Sequence, residues 1–145
     1  MSNQLYFESV TVGMALLSLV KETKYMQLVV YAGASRDYYI IHHDRDYAQG
    51  VGLPDVIIQG SMKASYLGQL VTDWMGEWGI LKRFAVQYRG LDAPGKPLTA
   101  KGVVTKAQLQ DVNGYIECDL WLENLNGENT TRGTATITLP LRRSV

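Results

Sequence analysis

Along the second half of the chain, β-branched and aromatic residues alternate with polar ones in stretches divided by Asn113-Gly114 and Asn126-Gly127. A period of two marks strands with one buried face, and Asn-Gly between such stretches is the strongest short-range hairpin signal. Three consecutive antiparallel strands are predicted: Leu98 to Gln110, Tyr115 to Leu125 and Asn129 to Leu139. Upstream, Ile80 to Gly90 reads as another strand with imperfect alternation, and Asp92-Ala93-Pro94-Gly95-Lys96-Pro97 joins it to the next. A four-strand meander is the minimum expectation.

The period changes between Gly60 and Gly76. Met62, Tyr66, Leu67, Leu70 and Trp74 recur at spacings of three and four, with Ala64 and Gly68 leaving room for a close neighbour. This predicts a long helix packed on the sheet. It favours Met62, Tyr66, Trp74, Met75 and Trp78 as core over the lining of an acyl tunnel. A shorter helix is expected after Thr23 as its N-cap, carrying Tyr25, Met26, Val29, Val30 and Ala32 until Gly33 and Asp37 break it. An early strand near Tyr6 to Val12 completes the set. There is no internal repeat, low-complexity tract or linker, so residues 1–145 fit one domain. The fold class is α+β: an antiparallel sheet wrapped around a long central helix.

Charge narrows the function classes. Fourteen Lys and Arg balance fourteen Asp and Glu, so no global field draws in nucleic acid or an anionic membrane. The longest apolar stretch, Val12 to Val20, is interrupted by Gly13 and Ser18, too short to cross a bilayer, and lacks the flanks of a signal peptide. A cytoplasmic location is expected. The single Cys118 cannot form an internal disulfide and reads as a small, half-buried strand residue.

Candidate chemistry lies in Ala34-Ser35-Arg36-Asp37-Tyr38-Tyr39-Ile40-Ile41-His42-His43-Asp44. Asp37 and His42 are five apart, a spacing that leaves one helical face but lets a tight turn aim both into one cavity. A carboxylate and an imidazole about a water's width apart suit water addition, one removing a proton while the other orients the water. Taken alone, such a pair near a helix end is more often a cap and a satisfied polar residue. Tyr38 and Tyr39 fit no regular core period and are pocket candidates. His42-His43-Asp44 does not make a metal site, because adjacent residues rarely converge on one ion and no other His or Cys cluster completes a shell. Lys82, Arg83 and Arg89 are cations that would suit phosphates, and the sequence assigns none of them that role.

This segment resembles the hydratase signature of the MaoC-like family, Gly-Asp-x-Asn-Pro-Ile-His-x-Asp, with Asp37, Ile41, His42 and Asp44 in register and Tyr47-Ala48 following. Ile57-Ile58-Gln59-Gly60-Ser61-Met62 is similar to the family's apolar-His-Gly-Met start of the central helix. Pro94-Gly95-Lys96-Pro97-Leu98-Thr99 resembles its turn into a strand. Arg36-Asp37 and His42 to Asp46, with Leu70-Val71-Thr72-Asp73-Trp74, are most similar to the small catalytic subunit of heteromeric steroid enoyl-CoA hydratases. Departures stand at Arg36 for Gly, Tyr39-Ile40 for Asn-Pro, Gln59 for His, and Gly68 for a polar helix residue. They suggest a pocket for something other than a simple straight chain.

The resemblance implies a hot-dog fold and hydration of a 2-enoyl-CoA to an (R)-3-hydroxyacyl-CoA, or the reverse. It implies that Asp37 and His42 activate one water and that the Gly60 N–H binds the thioester oxygen; Tyr39 and Ser61 are further candidates for the substrate site. Gly60 at a helix start has its own physical reason for that role, since free N–H groups there favour an enolate oxyanion. No metal or redox cofactor is implied, coenzyme A being part of the substrate. A homodimer or higher homo-oligomer is expected, with a hetero-oligomer with a second hot-dog subunit as the alternative. Two other functions stay open: an acyl-CoA thioesterase on the same fold, and a non-catalytic partner subunit of a heteromeric hydratase.

Overall fold

A computed structural model describes residues 4–110 and 112–142. Three long strands, β3 (Pro97–Gln110), β4 (Asn113–Glu123) and β5 (Asn129–Leu139), form the expected antiparallel ladder. Their alternation places Leu98, Ala100, Val104, Ile116, Cys118, Leu120, Leu122, Ala135, Ile137 and Leu139 on one buried face. Against that face lies α3 (Gly60–Met75), which touches all five strands. Met62, Leu67, Leu70, Val71 and Met75 supply its buried stripe, while Tyr66 and Trp74 pack at its margin. The sheet curls around this helix as a hot-dog fold.

The four-strand meander is corrected by the sheet order β1-β3-β4-β5-β2. Strand β2 (Ile80–Tyr88) pairs with β5, not β3. The chain crosses the concave face as α3 before starting β2, so it emerges at the far edge of the sheet. The loop after β2 then carries it back to β3, and Gly95 N–H donates to Thr23 O at 2.7 Å to tie that loop beside β1. The first strand is also misplaced by the sequence reading. Tyr6 to Val12 holds only a 3-10 turn, Phe7–Ser9, and β1 is Leu19–Glu22, paired with Pro97 to Ala100. The Phe7 ring of that turn occupies the space a Cβ on Gly114 would need. Gly114 itself lies inside β4, since Gln110 already pairs with Asn113. Its hairpin is real, yet the glycine serves a ring packed against it. Gly127, at φ 77°, is a turn glycine as expected.

Four further expectations change. Helix α1 (Tyr25–Ser35) has Lys24 at its N-cap, where the Lys24 N–H donates to Gln27 Oε1 at 2.7 Å. Thr23 is buried instead, its hydroxyl 2.7 Å from the Tyr66 hydroxyl. The face α1 buries is Leu28 and Ala32, leaving Met26, Val29 and Val30 exposed. Trp78 is 59% exposed and so is not core, its ring edge-on to Tyr6. Cys118 is fully buried, not half-buried, and burial pushes its thiol up to about 12. No helix among the described residues is long and apolar enough to cross a membrane.

Candidate active site

Helix α1 ends at Ser35, and Arg36 turns the chain with φ 60° and ψ 24°, the left-handed region that glycine occupies without strain. The Ser35 hydroxyl donates to Tyr31 O at 2.6 Å and accepts from the Asp37 N–H at 3.3 Å. Asp37 Oδ1 accepts from the Tyr39 N–H at 3.4 Å, folding the aspartate over its own backbone. A 3-10 turn, Ile40–His42, then swings His42 inward. Asp44, also in the signature, caps the short helix α2 (Arg45–Gly50) by accepting from the Tyr47 N–H at 2.9 Å. Its place is structural. The exposed Arg45 beside Asp55 holds that carboxyl below its usual value through a side-chain hydrogen bond, bracing the far end of the same loop.

The His42 side chain is 8% exposed, and its Nδ1 lies 2.7 Å from Ile57 O. A carbonyl oxygen only accepts, so Nδ1 carries a proton, and in the neutral ring Nε2 presents a lone pair. Asp37 Oδ2 stands 3.7 Å from that Nε2. The gap exceeds a direct hydrogen bond, and the carboxylate and the Nε2 edge of the ring face one small volume. Tyr39 lies edge-on to the His42 ring, centroids 6.1 Å apart. Tyr38 and Tyr39 remain 64% and 56% exposed, so this wall of the site is open to solvent on the single chain.

Gly60 enters from the other side. Ile57 N–H donates to Ile41 O at 3.2 Å, which pins the approach to α3 against the histidine turn. Gln59, fully buried, donates from Nε2 to Leu28 O at 2.9 Å and fastens the helix start to α1. Its Oε1 is buried and has no partner among the described residues. Gly60 is the first residue of α3, and no side-chain cap meets that end. A Cβ there would come within 3.1 Å of the exposed Tyr88 ring, a tight contact that the ring can relieve by shifting. Ser61 is exposed in the first helical turn.

The structure thus groups Asp37, Tyr39 and His42 directly and joins Gly60 to them through the Ile57–Gln59 backbone. Sequence reasoning missed Lys63, Asp92 and Thr130, which sit behind this backbone. Lys63 Nζ is 2.7 Å from Asp92 Oδ2, and the Thr130 hydroxyl donates to the same oxygen at 2.6 Å. A signal was present: Lys63 precedes Leu67 and Leu70 by four and seven residues, a charge on the apolar stripe. Among the described residues, no three His, Cys, Asp or Glu side chains gather as a metal site.

Residues 8–118 match the family described as MaoC like domain. The chain is 30% identical over 119 residues to the 3-oxo-4,17-pregnadiene-20-carboxyl-CoA hydratase beta subunit of Mycobacterium tuberculosis, covering 81% of this chain and 85% of that one. Among solved structures it superposes on the ChsH1-ChsH2 complex from Mycobacterium tuberculosis with a TM-score of 0.79, at 25% identity over 90% of this chain and 98% of that one. It also matches the fold of unliganded R-hydratase PhaJ1 from Pseudomonas aeruginosa, with a TM-score of 0.85 at 18% identity over 96% and 88%. With the signature residues of the Asp37 to Asp44 loop and the Gly60 helix start in their expected order, the chain belongs to the MaoC-like dehydratase domain family.

Proposed function

We propose that the chain adds water to a 2-enoyl-CoA to give a 3-hydroxyacyl-CoA, and runs the reverse dehydration through the same steps. The observation that carries this reading is the 3.7 Å separation of Asp37 Oδ2 and a His42 Nε2 whose lone pair is free. A water between them can donate one hydrogen to each, leaving its oxygen lone pairs pointed at the substrate. The water oxygen bonds to the β carbon, Asp37 receives the proton, and the double-bond electrons move onto the thioester oxygen. The Gly60 N–H stabilises that enolate. Return of the proton to the α carbon, assisted by His42, regenerates both groups, and the resemblance implies the (R) product. No metal or redox cofactor enters these steps. Tyr39 and Ser61 border the space where the acyl chain would lie. Cytoplasmic residence goes with an acyl-CoA substrate.

The exposed Tyr38 and Tyr39 favour a second chain closing the site, and the 30% identical relative is by name a beta subunit. We infer a hetero-oligomer with a second hot-dog subunit ahead of a homodimer, and a bulky acyl group ahead of a straight one. The test is the absorbance of the conjugated thioester, with crotonyl-CoA and then a bulkier enoyl-CoA, read beside a thiol reagent. Hydration bleaches the band without releasing thiol. Asp37→Asn should lower turnover by about 10²- to 10⁴-fold with the fold intact, and unchanged turnover would eliminate the mechanism. Thiol release would identify a thioesterase. Activity that appears only on mixing with a second hot-dog protein, and survives Asp37→Asn, would make this chain a non-catalytic partner.

A further inference from the structure

We propose that the buried Lys63–Asp92 ion pair is a positioning device for the site: through one peptide group it orients His42, and through the first turn of α3 it orients Gly60. This rests on the hydratase reading only for its effect on turnover. Both side chains are almost fully buried, 3% and 5% exposed. Such a pair is an uneconomical way to stabilise a core, because desolvation offsets most of the attraction and apolar residues of the same size hold as well. What it supplies is direction. Lys63 Nζ donates to Asp92 Oδ2 at 2.7 Å and to Gly90 O at 2.8 Å, and the Thr130 hydroxyl donates to the same carboxylate oxygen. The helix and the start of β5 are thereby fixed to one carboxylate, and the chain just after β2 to the ammonium paired with it.

The route to the site is short. Asp92 O accepts from the Ile58 N–H at 2.8 Å, while Ile57 O accepts from His42 Nδ1 at 2.7 Å. That carbonyl and that N–H belong to a single peptide unit. Because the unit is planar and stiff, a tilt at its Asp92 end changes the direction of the carbonyl that holds the imidazole. Hydrogen bonds in series through one amide also polarise each other. At the same time the Lys63 side chain ties the first turn of α3, the turn that Gly60 opens, to the same aspartate. Lys63 and Asp92 touch neither the reacting atoms nor Asp37. They fix the two things the reaction needs in register, the histidine tautomer and the helix N-terminus.

The test compares three proteins with wild type. Lys63→Met/Asp92→Leu/Thr130→Val removes both charges and the hydroxyl, so no side chain of the network is left buried without its partner. Thr130→Val alone removes one bond and is the mild variant. Lys101→Met/Glu123→Gln removes an ion pair of the same 2.7 Å length on the partly exposed face of the sheet. Long-range ¹H–¹⁵N NMR reads the imidazole tautomers, and the chain has only two histidines to assign. Wild type and the surface variant should show His42 as the Nδ1–H tautomer alone. The triple variant should show a mixture and lose about tenfold in kcat with little change in KM, and Thr130→Val should move the same way by less. Should the triple variant not fold, Thr130→Val decides. A single Nδ1–H tautomer and wild-type kcat in the folded network variants would overturn the proposal. If wild type hydrates no thioester, the hydratase reading falls, and the tautomer result alone upholds or overturns the positioning role.

Discussion

The β3–β5 ladder and the segment from Arg36 to Gly60 are held in different ways. In the ladder nearly every residue pairs with a neighbour on a long antiparallel register, and every strand meets α3. The segment has one 3-10 turn and a six-residue helix, and its position depends on a few tethers: His42 to Ile57 O, Ile57 N–H to Ile41 O, Ile58 N–H to Asp92 O, and Gln59 to Leu28 O. Redundant bonds share a disturbance, while single tethers pass it on. Substitutions in the ladder should therefore act on stability, and those in the segment on the geometry of the Asp37–His42 pair.

The largest effect should come from breaking the ladder's core. Ile137→Ala deletes a fully buried side chain facing α3 and should lower unfolding free energy by about 2–5 kcal/mol in urea titration. The kcat of the folded fraction should stay within about twofold, because no tether passes through Ile137. A collapse in kcat of folded protein would erase the distinction between the two regions. Gly60→Ala should do the opposite. Tyr88 is 53% exposed and can yield to the new methyl, so stability should change by only about 1 kcal/mol. Turnover should fall by about tenfold as the methyl takes the space nearest the helix N-terminus. Steady-state kinetics beside a melting curve separates these outcomes. The smallest effect should be a gain: Arg36→Gly relieves a left-handed residue and should raise stability by about 0.5–1 kcal/mol. No rise in the melting midpoint would show that the Arg36 side chain compensates its own backbone.

The same contrast explains what could be read in advance. Strands β3 to β5 and helix α3 were legible because their hydrophobic periods are long and buried on one side, so local pattern and tertiary burial agree. Strand β1 was not, since its four residues carry too short a pattern and its pairing comes from Pro97 to Ala100 far along the chain. The edge position of β2 was equally hidden, being set by α3 crossing the sheet. Asp37, His42 and Gly60 could be singled out as residue types in a signature, but not the carbonyl that fixes the histidine tautomer. That carbonyl is main chain and has no residue code. Nor did the segment's pattern disclose that Asp44 serves as a helix cap, or that the buried Lys63 has Asp92 as its partner twenty-nine residues on.

Cys118 has a practical consequence. It sits on β4 between Val104 of β3 and Ala135 of β5, almost wholly shielded, with its ionisation pushed up to about 12. Disulfide reagents attack thiolates, so the folded chain should contribute almost no colour of its own to an assay for liberated coenzyme A. The sulfur reacts only when the middle of the sheet opens. Its slow labelling in native buffer is then a clock for rare global openings, ticking at a rate set by the stability of the ladder itself.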